Sequence, residues 1–281
     1  MITHPSNLYV YAYLFVIDML LHMREYSFLP QPEEKVRIPI PETGMHINAI
    51  LRGDWSMPVV ILVHGLACDN HGLLPFLMAR TLWENGFSSL RVNLYDNEED
   101  TRDMIDCTMD IHAQDFDTIV EYVRSKKAPA ILAVGHSYGG LTILSGNAAL
   151  DAAVLLEPSH FKCSFEYDLE RRKGRHHLME EEQMVVYEGG SGVIDPLRMV
   201  EERKNKMDTL EVELAAKPYP IHFIAAGDCP LVPYIKKYFT AANSPKRLTV
   251  IPGASHALTD SDEIMLTVFS ETLQWLTRYA K

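Results

Sequence analysis

Between residues 59 and 156 the chain alternates short β-branched runs with longer amphipathic stretches, and this rhythm restricts the fold more than any other feature. Residues 59–63, 88–93, 130–134 and 153–156 have the length and composition of strands. Residues 73–84 and 111–123 carry apolar side chains at three- and four-residue intervals and predict helices, and 138–149 is small and apolar enough to be a buried one. Such units build a mostly parallel, twisted sheet with helices on both faces. The rhythm stops after Pro158, where a charged, weakly periodic region reaches Lys217. It resumes at 221–226, 231–242, 247–251 and 263–279, the last placing Met265, Phe269, Leu273 and Leu276 on one face. The expected organisation is an N-terminal helical extension at 1–30, a sheet domain in two parts at 31–158 and 219–281, and an inserted cap at 159–218.

The extension is read from Leu8, Tyr11, Phe15, Met19 and Met23 at helical spacing, a face suited to core packing or to a homodimer contact. Asp18 interrupts this apolar stretch, and neither a basic leader nor a small-residue cleavage site accompanies it, which argues against a signal peptide or stable membrane insertion. Pro30, Pro32, Pro39 and Pro41 then predict extended or linking structure. The net charge of -12 supplies no basic surface for phosphates, so no nucleic-acid partner is expected. Cys68, Cys107, Cys163 and Cys229 have neither metal-ligand spacing nor the density of a disulfide framework, and read as free thiols of a cytoplasmic protein.

The chemistry is concentrated in Gly135-His136-Ser137-Tyr138-Gly139, which follows an apolar strand and opens a helix. Fifteen glycines and fifteen serines in 281 residues predict only ~0.04 pentapeptides of this Gly-x-Ser-x-Gly form by chance. In that context the serine sits on a sharp turn, and a side chain at Gly135 or Gly139 would collide as the helix folds back over the strand. A serine hydroxyl needs a base within hydrogen-bond reach and a third group to hold the base's tautomer. His256, after the last strand, is the expected base. Asp228, in the Gly227-Asp228 turn after the preceding strand, is the expected acid, and the order Ser137, Asp228, His256 is the one this architecture uses. Glu157, closing the strand at 153–156, is the reserve acid. Backbone N–H groups of Leu66, in His64-Gly65-Leu66, and of Tyr138 are the expected oxyanion donors.

These four motifs resemble the α/β-hydrolase superfamily, and residues from about 36 to 279 fit it. The chain is most similar to compact serine esterases of the feruloyl-esterase and monoacylglycerol-lipase kind. The resemblance implies a cap before the acid loop and hydrolysis of a small-molecule carboxylic ester through an acyl-enzyme, without a cofactor. Alternatives within the same triad chemistry are a thioester, an amide or a carbon-carbon bond; outside it, a non-catalytic ligand-binding protein on the same scaffold. Residues 1 to about 30, the acidic loop 96–103 and the Cys229-Pro230 pair depart from the common pattern. The acidic loop suits a solvated surface better than a cationic substrate. No metal is expected, because His71, His112, His176 and His177 lack ligand partners at useful spacing.

Overall fold

A computed structural model describes residues 33–96, 98–163, 176–179, 184–187, 194–206 and 217–280. The proposed N-terminal helix lies outside them. The chain divides into two units, residues 1–32 and residues 33–281, and all the elements named here belong to the second.

Eleven strands are described, eight of them in one sheet. The chain runs β1 (Glu33–Pro39), β2 (His46–Arg52), β3 (Val59–Val63), α1 (Leu73–Glu84), β4 (Ser88–Val92), a short 3-10 turn (Met104–Asp106), α2 (Met109–Ser125), β5 (Ile131–His136), α3 (Tyr138–Ser145) and β6 (Ala152–Leu156). There follow β7 (His176–Met179), β8 (Met184–Tyr187), β9 (Ile194–Pro196), α4 (Leu197–Asn205), β10 (Ile221–Ala226), α5 (Val232–Ala241), β11 (Lys246–Ile251) and α6 (Asp262–Tyr279). The large sheet has the order β1-β2-β4-β3-β5-β6-β10-β11. Strands from β4 to β11 run parallel in it, and β2 runs antiparallel to both β1 and β4.

The central strands are buried on both faces, which is why they read as continuous apolar runs rather than alternating ones. One face packs under α2, α3 and α5 through Phe116, Leu141 and Ile235, among others. The opposite face packs under α1 and α6 through Met78, Leu82, Val268 and Leu276. Helix α3 is shorter than the expected 138–149. It ends at Ser145 because the Asp117 carboxylate accepts the N–H groups of Asn147 and Ala148, turning the chain out of the helix.

From residue 33 the segment expected to be extended or linking is extended, and β1 pairs with β2 in a hairpin. In β1 the residues Val36 and Ile38 are buried between exposed neighbours, an alternation that marks a strand covered on one face. Between β6 and β10, a second sheet of order β7-β8-β9 is antiparallel throughout and precedes α4. Among the described residues, no helix is long and apolar enough to cross a membrane.

Candidate active site

Parallel strands deliver their following loops to one edge, and β3, β5, β6, β10 and β11 bring every residue discussed here to it. Ser137 stands between β5 and α3 at φ 54° and ψ -116°, a conformation that non-glycine residues adopt only where the surroundings impose it. The glycines on either side make that turn feasible. A methyl group at Gly139 would lie 2.3 Å from the Val63 carbonyl oxygen, and one at Gly135 would lie 2.6 Å from the Gly139 carbonyl. Helix and strand therefore cross in backbone contact, with the hydroxyl at the crossing.

His256 Nε2 lies 2.8 Å from Ser137 Oγ. The imidazole is half-buried, and its desolvation, followed by the neighbouring His136 ring, pushes its pKa down to about 4. It is consequently neutral at physiological pH, the state in which Nε2 can accept a proton. His136 also fixes the position of the histidine loop, its Nε2–H donating to the His256 carbonyl oxygen at 2.8 Å. Asp260 accepts the Ser255 N–H at 2.9 Å and pins the same loop from the other side.

Behind the ring, the structure departs from the expectation for Asp228. Its side chain is exposed, and only its backbone N–H is engaged, donating to the Ala254 carbonyl at 3.2 Å. The turn that was expected to aim Asp228 at the ring aims the following residue there instead: Cys229 Sγ is 3.9 Å from His256 Nδ1. Glu157, the reserve acid, lies beside them. A Glu157 carboxylate oxygen, Cys229 Sγ and a His256 ring nitrogen all fall within 4.8 Å of one another.

Glu157 is fully buried and holds φ 46°, a second strained residue at the same sheet edge. Its Oε2 accepts the Ala226 N–H at 2.5 Å, whereas Oε1 makes no hydrogen bond of ordinary geometry. Burial pushes this carboxyl up, opposed by the Cys229 thiol and the Ala226 N–H.

The two turns that carry the expected oxyanion donors adjoin Ser137. A methyl group at Gly65 would touch the Ser137 Cβ at 3.4 Å, so the His64-Gly65-Leu66 turn abuts the nucleophile's own side chain. Tyr138 is the first residue of α3, where a helix leaves its N–H without an intrahelical acceptor. Sequence reasoning missed two neighbours. Ser159 Oγ is 3.2 Å from Ser137 Oγ, and its N–H donates to the Ser137 carbonyl at 3.0 Å. His136 was passed over because it occupies a variable place in the motif, and nothing in its spacing reveals the hydrogen bond it makes across 120 residues.

The sequence profile of the alpha/beta hydrolase family matches residues 60–265, which include every one of these residues. The chain belongs to the alpha/beta hydrolase family. Among solved structures, this hydrolase is similar to Est1E from Butyrivibrio proteoclasticus with ferulic acid bound, at 19% identity and a TM-score of 0.66, over 87% of this chain and 98% of that one. It is also similar to dienelactone hydrolase from Anabaena variabilis, at 15% identity and a TM-score of 0.62, over 89% of this chain and 99% of that one. An esterase from Pyrococcus furiosus shares 14% identity and a TM-score of 0.65, over 92% of this chain and 96% of that one. At these identities the likeness is one of fold. Among curated proteins, none matches this sequence. Family membership carries hydrolase chemistry on a small-molecule substrate.

Three carboxylates of the acidic loop are engaged within the protein. Asp96 accepts from Asn48 and Asn93, Asp100 pairs with Arg37, and Asp103 caps the 3-10 turn. All four cysteines are free thiols, with Cys68 exposed and Cys107 buried.

Proposed function

We propose that this hydrolase cleaves carboxylic esters through an acyl-enzyme, with Ser137 as nucleophile, His256 as general base and Glu157, in place of Asp228, as the acid that orients the imidazole. The observation that carries the reading is the 2.8 Å approach of a neutral, loop-anchored imidazole to a hydroxyl held on a strained turn. In this reading His256 Nε2 takes the Ser137 proton as the oxygen attacks the ester carbonyl. The N–H groups of Leu66 and Tyr138 receive the negative charge that develops on the carbonyl oxygen. His256 then returns the proton to the leaving alcohol, and water, deprotonated by the same ring, releases the acid.

Glu157 suits the orienting role because it is buried, is anchored by the Ala226 N–H, and brings a carboxylate oxygen within 4.8 Å of a ring nitrogen. Its distance exceeds hydrogen-bond length, and catalytic hydrogen bonds are often long before substrate binds. A cleft of about 180 Å³ beside Gly65 and His136, walled by Leu73, Leu74, Pro75 and Met78, supports an apolar acyl group. We assign the segment 159–218, with its separate sheet, as the cap that shapes the alcohol side.

The test is hydrolysis of para-nitrophenyl esters from acetate to palmitate by the full chain and by Ser137→Ala. The expected result is measurable turnover by the first and a fall on the order of 10⁶-fold for the second, with an unchanged circular dichroism spectrum. Turnover retained by purified Ser137→Ala contradicts the assignment.

A further inference from the structure

Ester hydrolysis asks for a carboxylate behind His256 and has no use for a thiol there. Yet Cys229 Sγ occupies that place, 3.9 Å from Nδ1, with the buried Glu157 carboxylate completing a triangle whose members lie within 4.8 Å of one another. Glu157 is fully buried, its Oε1 makes no hydrogen bond of ordinary geometry, and the carboxyl interacts with the Cys229 thiol, whose proton a metal would replace. A buried acceptor so poorly satisfied costs free energy unless something fills its place. Sulfur, imidazole nitrogen and carboxylate oxygen are the three donor types that zinc combines in tetrahedral sites. Zinc bonds of about 2.3 Å to sulfur and 2.0–2.1 Å to nitrogen set those two donors about 3.6 Å apart, so the observed pair needs to close by only a few tenths of an ångström. Cys229 is half-buried rather than sealed.

We propose that Glu157, Cys229 and His256 form a site for zinc or a similar thiophilic divalent cation, and that its occupancy switches the hydrolase off. The metal site stands on these three side chains alone, and the inhibitory consequence rests on the catalytic reading above. Binding displaces the Cys229 thiol proton to solvent, leaving a thiolate on the metal. His256 coordinates through Nδ1, and the single proton of the neutral ring moves to Nε2. Nε2 then faces Ser137 as a donor and can no longer accept the hydroxyl proton. Glu157 binds through Oε1 while Oε2 keeps the Ala226 N–H, and water takes the fourth position. The ligands lie 72 and 27 residues apart, a spacing that no sequence pattern for zinc would detect.

Cobalt(II) titration of the metal-free full chain tests the site directly, because a cobalt-thiolate bond produces a near-ultraviolet charge-transfer band. The expected result is a saturable band at one equivalent, with release of a proton, in both the wild type and Ser137→Ala. The band is lost in Cys229→Ala and in Cys229→Ser, two variants that guard against misfolding of either. Zinc is expected to abolish ester hydrolysis reversibly, with a chelator restoring it, and the ratio of rates with and without zinc returns to one in Cys229→Ala. Absence of the band, or its persistence in Cys229→Ala, overturns the site. A band accompanied by full activity of the zinc-saturated protein overturns the switch. A band in a protein that never hydrolyses an ester keeps the site and defeats the catalytic reading instead.

Discussion

Ser137 and Glu157 both hold positive φ at the same sheet edge, conformations that cost roughly 1–3 kcal/mol each for residues with side chains. Two strained residues flanking one imidazole are intelligible if each is fixed for a task, one presenting a hydroxyl and the other a carboxylate. The competing assignments for the acid separate cleanly by substitution. Glu157→Gln is expected to lower kcat/KM for an ester on the order of 10⁴-fold, the scale seen when an orienting carboxylate loses its charge. Asp228→Asn, at an exposed side chain, is expected to change it less than about twofold, since surface substitutions away from a site have small effects. The reverse pattern in steady-state kinetics restores Asp228. The serine, the histidine and the glycines were legible in the sequence because a nucleophile elbow is a local arrangement whose spacing is fixed by backbone contact. The acid was not. A strand end and a following turn both reach the sheet edge, and only the direction of one turn decides whether residue 228 or residue 229 faces the ring.

At the scale of elements, Glu202 on α4 ties the inserted segment to the sheet domain. Its carboxylate accepts the N–H groups of Met109 and Asp110 at the start of α2, while Thr108 accepts that of Ile111. Three of the four donors that a helix start leaves open are thereby satisfied, one side chain contributing from 92 residues away. Glu202→Ala is expected to cost about 0.5–2 kcal/mol, the range for losing a helix cap, read as a lowered urea midpoint. No change in the midpoint means that solvent replaces the carboxylate without loss. The helices and inner strands were legible because their apolar period is set by burial on one or both faces. The β1-β2 hairpin was not, since prolines at both ends of β1 read as punctuation, and an outer strand with only Val36 and Ile38 buried gives a weak alternating signal. The strands of the inserted sheet are four, four and three residues long, too short for periodicity to register.

For the whole molecule, the parallel order of the strands is what converts residues 65, 137, 157 and 256 into one site. It also buries histidines. His112 and His222 are pushed down to about 3, and His256 to about 4, in each case chiefly by burial. Their ordinary value is near 6.5, so between about 6.5 and 4 the unfolded chain binds more protons than the folded one, and stability falls as pH drops through that window. Asp115 and Glu157, pushed upward by burial, act in the opposite sense at its lower end. The melting temperature is accordingly expected to decline from pH 7 to pH 4.5, and the acid limb of kcat/KM to lie well below 6.5. A limb near 6.5 would mean that the His256 ring is solvated in the working enzyme. The most direct test of the whole account is covalent. Treating the protein with a fluorophosphonate and mapping the adduct by peptide mass spectrometry is predicted to place one phosphonate on Ser137, with labelling abolished in His256→Ala. An unlabelled protein, or an adduct on any other residue, contradicts it.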